Sequence, residues 1–547
     1  MNNREYTFEK GDGAFAVFML VCGFLFWEWL WPKSVPGTEG QYFDYNMMSG
    51  DLTVAPGLGV SLLIYTLAAA GLVYMRVRGH RQTARSLPWL CALAAGALPF
   101  LLYQGTIGMH ILLFFFEAAV FLVWLATTCG TTVGGRLSGL VFFDGLAQLF
   151  PVAFGNFTGL FRGLRDGTKE REGSRRTLTG ALGILIALPV ICGVVALLYA
   201  ADEGFAALAR SIAETLRLEN LGRYLIEAAV GVPVACYLYG AFYGNTHGRR
   251  TGAITEEGIA RSLAKAHRIP AAAVTAPVAV LCGFYVLFFI GMGRYLFSAF
   301  AGDLPDAYSY AEYARKGFFE LCGVAAINLG VLAFTWWFAK RGQAERPKRL
   351  CAFGGILSAL TILLVLTAMS KMMLYIGEYG LTRMRVHTFW FMILLLCVFA
   401  ALFVWHLRAY NAGRPIVCAA VALVLALFLA NTDGVVARYN VDGYLSGKCE
   451  GVDMTTLFDL SDAKYASLAR LAEEAPDPAV RSLAVNYLRG VKVEVPLRDV
   501  FDGSSYLGLV EPLIYNLPYK ALEDESVRIP YMAWNRESSA AAATVAG

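Results

Sequence analysis

The feature that most restricts this chain is an alternation. Long apolar runs, almost free of charge, are separated by short clusters rich in lysine and arginine. A bilayer core about 30 Å thick takes about 20 apolar residues of helix to cross. Inside it every backbone amide must be paired, which leaves helices or closed barrels. The runs are continuous, without in–out alternation, so they predict helices. Eleven meet the length: Gly13 to Trp31, Gly57 to Met75, Leu87 to Tyr103, Ile107 to Ala126, Leu178 to Ala200, Tyr224 to Tyr243, Ile269 to Gly291, Gly317 to Phe338, Leu350 to Met369, Thr388 to Trp405 and Ile416 to Ala430. Composition agrees: 57% of the 547 residues are hydrophobic and 16% charged, against roughly 45–50% and about 25% in soluble domains. The expected fold class is an all-α polytopic membrane protein with about 11 transmembrane helices over residues 1–430. A small, mainly helical extracytoplasmic domain over 431–547 is expected to follow, its last ~10 residues frayed at the terminus.

Orientation follows from basic residues in the loops. With the N-terminus inside, the inner segments carry 25 lysines and arginines and the outer loops 10. The expected location is a bacterial plasma membrane, N-terminus cytoplasmic and C-terminus extracytoplasmic. The first apolar run follows Arg4, Glu5, Glu9, Lys10 and Asp12 and ends in Trp27, Glu28, Trp29 and Trp31. It lacks a basic n-region and a small-residue cleavage site, so it reads as a retained span. Nine of the ten tryptophans, all but Trp534, lie at or near a span end, where indole keeps its N–H wet.

Leu137 to Phe157 is apolar but contains Asp144, Gln148, Pro151 and Asn156. As a span it would invert every later loop. It reads as an amphipathic helix on the inner surface, with Phe142, Phe143, Leu146, Leu149 and Phe150 dipping into lipid; a re-entrant hairpin is the second choice. The tail carries 11 basic against 17 acidic residues. Ser461 is expected to cap a helix over Asp462 to Ala475, and Asp477-Pro478 a second one to about Arg489. Leu468, Leu471, Leu483 and Leu488 would pack the two together.

Ionisable groups at membrane depth are the first candidates for chemistry, because charge in lipid is expensive. His110 and Glu117 stand seven residues apart on one helix face; they read as steps of a proton path or as interhelical hydrogen-bonding groups. Glu320 reads as the i,i+4 partner of Lys316 or as part of a polar-lined cavity with Gly323 and Asn328. The outer loop around Glu378, Tyr379, Arg383 and Arg385 holds two arginines against the charge trend. Something must offset them: the acidic tail (Asp433, Asp442, Asp453, Asp459), an anionic lipid headgroup or an anionic ligand. Lone His80, His247, His267, His387 and His406 read as interfacial residues.

No Walker loop, GxSxG elbow, HExxH or metal-spaced acidic motif occurs. The eleven cysteines form no CxxC or Cys/His cluster. No catalytic residue, cofactor or metal is expected, and no basic stripe points to nucleic acid. The expected partner is the bilayer itself.

Several short stretches carry a resemblance: Ala311-Glu312-Tyr313-Ala314-Arg315-Lys316-Gly317-Phe318-Phe319-Glu320-Leu321; Tyr379-Gly380-Leu381-Thr382 with Arg385; Asn431-x-Asp433 followed by Ala437-Arg438-Tyr439-Asn440; and Leu460-Ser461-Asp462-Ala463. In this order, over roughly Phe284 to Leu488, the chain resembles a bacterial multi-pass membrane family known as domain of unknown function 4173, related to number 4153. The first half resembles it in hydropathy pattern only. The resemblance implies an integral membrane protein whose marked residues lie at the outer face. It singles out Arg315, Glu320, Arg385, Asn431, Asp433 and Asn440 for a shared role, structural or functional.

The leading expectation is a non-enzymatic envelope scaffold or sensor that presents its tail outside. The alternative is a solute or lipid transporter using His110, Glu117 and Glu320. A membrane-embedded enzyme acting on lipid-linked substrates comes third.

Overall fold

The computed structural model describes residues 6–9, 11–30, 53–54, 57–102, 105–133, 140–166, 194, 221–301, 318–340, 347–449, 451–461, 463–488, 493–494 and 514–515. The protein is mostly helical. Among the described residues, five helices are long and apolar enough to cross a membrane, or six if one bent pair is a single span. Three shorter apolar helices accompany them, Asp12–Phe26, Leu87–Leu102 and Gly323–Phe338. Apart from Val194, the expected span Leu178 to Ala200 lies outside the described residues. The chain divides into two compact units, one over residues 1–255 and one over 256–528, with short C-terminal stretches assigned to each. Compactness thus divides the chain near residue 255, and the segment after Ala430 clusters with the helices that precede it.

In the first unit, α1 (Asp12–Leu30), α2 (Gly57–Val77), α3 (Leu87–Leu102), α4 (Ile107–Cys129) and α7 (Leu221–Thr246) are the long helices. Between α4 and α7 lie the short α5 (Val141–Ala147) and α6 (Gly159–Asp166). Small residues decide how α7 packs. Gly231 and Ala235 lie four apart and receive Gly23 of α1 so closely that a methyl on either glycine would overlap the other's backbone. One to three turns on, Gly240 and Gly244 receive Ala153, Val152 and Asn156 in the same way. This small-xxx-small spacing lets backbones approach without an apolar driving force from lipid.

Over residues 141–156 the helix changes its winding. After α5 the chain turns π-helical over Gln148–Ala153, with Pro151 inside, and 3-10 over Phe154–Asn156. The segment is not among the candidate spans. Its polar residues face inward: Asp144 accepts from the Val133 amide at 2.5 Å, Gln148 from Asn245 at 2.7 Å, and Asn156 from Arg249. Phe142, Leu149, Phe150 and Phe154 are exposed, whereas Phe143 and Leu146 are half-buried. The π turn rotates the chain enough to hold Gln148, Val152 and Asn156 on one face.

In the second unit, α8 (Glu256–Ala266), α9 (Ala271–Ala301), α10 (Phe318–Phe338), α11 (Lys348–Tyr379), α12 (Arg383–Leu407) and α13 (Gly413–Leu429) precede the helices α14 (Thr432–Leu445), α15 (Met454–Phe458), α16 (Lys464–Glu474) and α17 (Pro478–Leu488). Val278, Ala325, Leu357, Leu364 and Phe399 centre one apolar core. Within it, Asn328 accepts from Tyr285 at 2.8 Å and donates to Thr361 at 2.9 Å. Asn328 therefore ties α9, α10 and α11 together and does not line an open cavity. A second core gathers Val436, Val441, Leu457, Phe458, Leu468 and Leu471, with Leu483 and Leu488 against it. The expected Ser461 cap is absent: helix α16 starts at Lys464 after Ala463 without a side-chain cap. Ser461 turns to Asp433 instead: its amide donates there at 2.8 Å, and its side chain is hydrogen-bonded to the same carboxylate. Asp477 does cap α17, accepting from Ala479 at 2.8 Å.

Candidate functional site

The densest polar assembly of the second unit forms where two chain reversals meet. At the first, α11 ends in Gly380, whose φ of +73° suits glycine. Thr382 then caps α12, its hydroxyl accepting from the Arg385 amide at 3.4 Å. At the second reversal, α13 and α14 meet at a 62° bend. Asn431 makes that bend: its φ of +50° is left-handed, which asparagine tolerates, and its side chain caps α14 by accepting from the Gly434 amide at 3.1 Å.

The bend delivers Asp433 to Arg383. Nε and Nη2 of Arg383 donate to the two carboxylate oxygens at 2.7 Å each, and the Ser461 amide donates to Asp433 at 2.8 Å. Asp433 is 7% exposed. Burial alone raises its carboxyl, but the Arg383 hydrogen bonds and charge, with the Ser461 amide, outweigh that and hold it below the ordinary 3.8. Two turns along α14, the Asn440 side chain exchanges a pair of hydrogen bonds with the Leu381 backbone, 2.7 Å to its N–H and 2.8 Å to its carbonyl. A β-carbon on Gly380 would strike the Asn440 amide oxygen. Arg385 donates to the Tyr379 carbonyl at 2.9 Å and to Gly380, and its guanidinium lies 4.0 Å over the Tyr375 ring.

Of the residues singled out in the sequence, Arg383, Arg385, Asn431, Asp433 and Asn440 therefore come together with Tyr379. Glu378 is exposed on the last turn of α11. Arg315 lies outside the described residues; Glu320 lies on α10, and its side chain is not among those described. Asp442 is apart from Arg383 and pairs with Arg470 at 2.6 Å. The excess arginine charge at this turn is met by a tail aspartate and by backbone carbonyls. Arg383, Asp433 and Asn440 are engaged with other groups of the same chain, so their chemistry is that of a clamp holding α14 and Ser461 to the α11–α12 turn.

The first unit contains the intramembrane pair. Glu117 is 3% exposed on α4 and packs on Gly96 of α3, where any side chain would collide with its carboxyl. Neither oxygen has a hydrogen-bond partner among the described residues. His110, two turns earlier, stacks on Phe100 with ring centroids 5.5 Å apart. The two side chains share a face without forming a pair.

A second polar cluster in this unit was not legible from motifs. Asp12, at the start of α1 and fully buried, accepts from the Glu9 amide at 2.8 Å and the Tyr74 hydroxyl at 2.7 Å. Arg78 donates to Asp12 and to Glu9, and His247 Nε2 stands 3.4 Å from Asp12. Tyr243 ties down residues 6–9, accepting from the Thr7 amide and donating to its carbonyl. His247 thus stands beside the Asp12–Arg78 ion pair. Likewise the fully buried Trp124 gives its N–H to Gln82, not to water. The missing signal is sequence separation: apart from the local Glu9–Asp12 contact, these partners lie 42 to 236 residues apart, and no local pattern links them.

No curated protein and no solved structure matches the chain. A family model does match, over residues 89–471, described as a domain of unknown function, DUF4153. The match covers most of the chain and reaches far into the half that resembled the family only in hydropathy. It carries the number 4153, not 4173. The clamp, with Gly380, Arg383, Asn431, Asp433 and Asn440, lies inside it, and the chain belongs to the DUF4153 family.

Proposed function

We propose that this protein is a multi-pass scaffold or sensor of the bacterial plasma membrane, with its N-terminus in the cytoplasm. Its working part is the helical segment from Thr432 to Leu488, displayed on the outer face. One observation carries the reading: Arg383 and the Leu381 backbone at the α11–α12 turn are spent on fixing that segment. Arg383 and Asp433 make a buried two-pronged ion pair, and Asn440 clamps Leu381. A catalytic or transport site presents groups to a ligand; here the groups hold one piece of chain on another. The motifs within 379–385, 431–440 and 460–463 support placing the chain near the related group 4173 within the family.

Orientation has its own support. In the first unit Arg78, His80 and the residues after Asn245 meet at one end of the helices, together with residues 6–12 and 155–156. In the second unit Ile269 bridges Ala339, and His406 packs on Gly354, at the end of α11 and α12 opposite Gly380. Segments read as cytoplasmic from their basic residues thus gather within each unit.

The test is complementation of a strain lacking the chromosomal copy, scored by growth under osmotic and detergent stress. A chain ending at Ala430 should insert at normal abundance and fail to complement, while Glu117→Gln should complement. Full rescue by the truncated chain overturns the reading. Loss of rescue by Glu117→Gln at normal abundance favours the second reading, a transporter, for which the partnerless buried carboxyl of Glu117 is the specific observation.

A further inference from the structure

Glu117 is not explained by the clamp. It lies inside Met109–Cys129, the candidate span formed by α4. Its carboxyl is enclosed by α3, where Gly96 leaves the space it fills. The residues around it are few in kind. From α2, the Tyr65 hydroxyl donates to the Ala94 carbonyl at 2.8 Å. Ser61 donates to the Ala97 carbonyl. On α4 itself the titratable neighbour is His110, stacked on Phe100. From α7, Phe242 packs on Phe121 one turn beyond. Both glutamate oxygens lack a hydrogen-bond donor among the described residues.

A carboxylate in that setting has lost its water and gained neither a cation nor an N–H from the described residues. Isolated buried charge of this kind neutralises rather than persists. Ionisable residues at membrane depth mark ion or proton routes when they have no structural partner. A structural acid would spend its oxygens on neighbouring donors, as Asp12 and Asp433 do with both and Asp144 with one. Glu117 spends neither, and glycine is kept opposite it. We propose that Glu117 is a proton-binding site within the first unit, a carboxyl that takes up and releases a proton while enclosed between α3 and α4.

The test uses the full-length protein in native membrane vesicles. A hydrophobic carbodiimide adds to a protonated carboxyl in an apolar setting, giving a stable acylurea that peptide mass mapping locates. Expected is modification at Glu117 by dicyclohexylcarbodiimide and little by a water-soluble carbodiimide. Modification should fall at least tenfold as pH rises across the range where the site releases its proton, and disappear in Glu117→Gln. Gly96→Ala, which fills the space, should reduce it several-fold. If Glu117→Gln does not accumulate, mapping on the wild-type chain decides alone. Three results overturn the proposal: no modification of Glu117 in the folded protein although it is modified after denaturation; modification at one level across all pH values, which marks a fixed neutral acid; or protection by sodium at constant pH, which marks a metal-cation site.

Discussion

Replacing Asp433 by alanine should undock the segment beyond Asn431 without removing the helices before it. The size of the effect follows from the clamp. The substitution takes away two acceptors of the Arg383 guanidinium and the acceptor of the Ser461 amide. Arg383, only 12% exposed, loses the two-pronged carboxylate that answers its charge. Breaking one partner of a buried pair costs about 3–5 kcal/mol, and the lost partner of a buried amide adds about 1 kcal/mol. At about 1.4 kcal/mol per tenfold, the ion-pair part alone raises the open population roughly 10²- to 10⁴-fold. Hydrogen exchange on protein in lipid nanodiscs reads this directly, because protection of Leu457 to Leu471 reports local opening. Protection there should collapse in Asp433→Ala while that of Leu357 to Leu364 is retained. Arg383→Met combined with Asp433→Leu should recover much of the loss, since apolar replacement of both charges removes the uncompensated one. The reasoning fails if Asp433→Ala leaves protection unchanged, or if a cycle with Arg383→Ala gives a coupling below about 0.5 kcal/mol.

Gly380→Ala should destabilise by about 1–2 kcal/mol from its left-handed φ of +73°, and by more because the methyl meets Asn440. The control Gly377→Ala, in open space on the same helix, should gain up to about 1 kcal/mol; thermal unfolding in detergent compares them. Gly231→Leu should force α1 from α7 and cut the yield of folded protein, read by size-exclusion after solubilisation, whereas Gly145→Ala, with nothing near it, should not. The Asp433 carboxyl sits below its ordinary value when folded. Its contribution to docking is therefore fully present above 3.8 and fades as pH falls through the lower folded value. Protection of the 457–471 segment should be flat from neutral pH to about 5 and fall only in stronger acid, and a drop already near pH 6 would count against this pair as the anchor.

Much of the clamp was legible because its parts are local grammar. Gly380 before a threonine cap and Asn431 before Asp433 are turn and cap signals whatever they face. The two outer-loop arginines announced a need for negative charge. Which acid met them was not readable: four tail aspartates were candidates, and the bend at Asn431 chose Asp433, while Asp442 went to Arg470. Ser461 shows the reverse. It reads as a helix cap, but Asp433 takes its amide, a contact 28 residues away.

By itself the sequence determined the class of protein. Apolar runs long enough to span a bilayer have few ways to satisfy their backbones other than as helices, and that constraint acts within each run. Tertiary structure decided the rest: that Gly23 meets Gly231, that Asp12 collects Arg78, Tyr74 and His247, and that Glu117 lies against Gly96 without a donor. Those pairings join residues far apart in the chain through close approach of small residues and buried charge. Their energies depend on distance in space, which no spacing along the chain encodes.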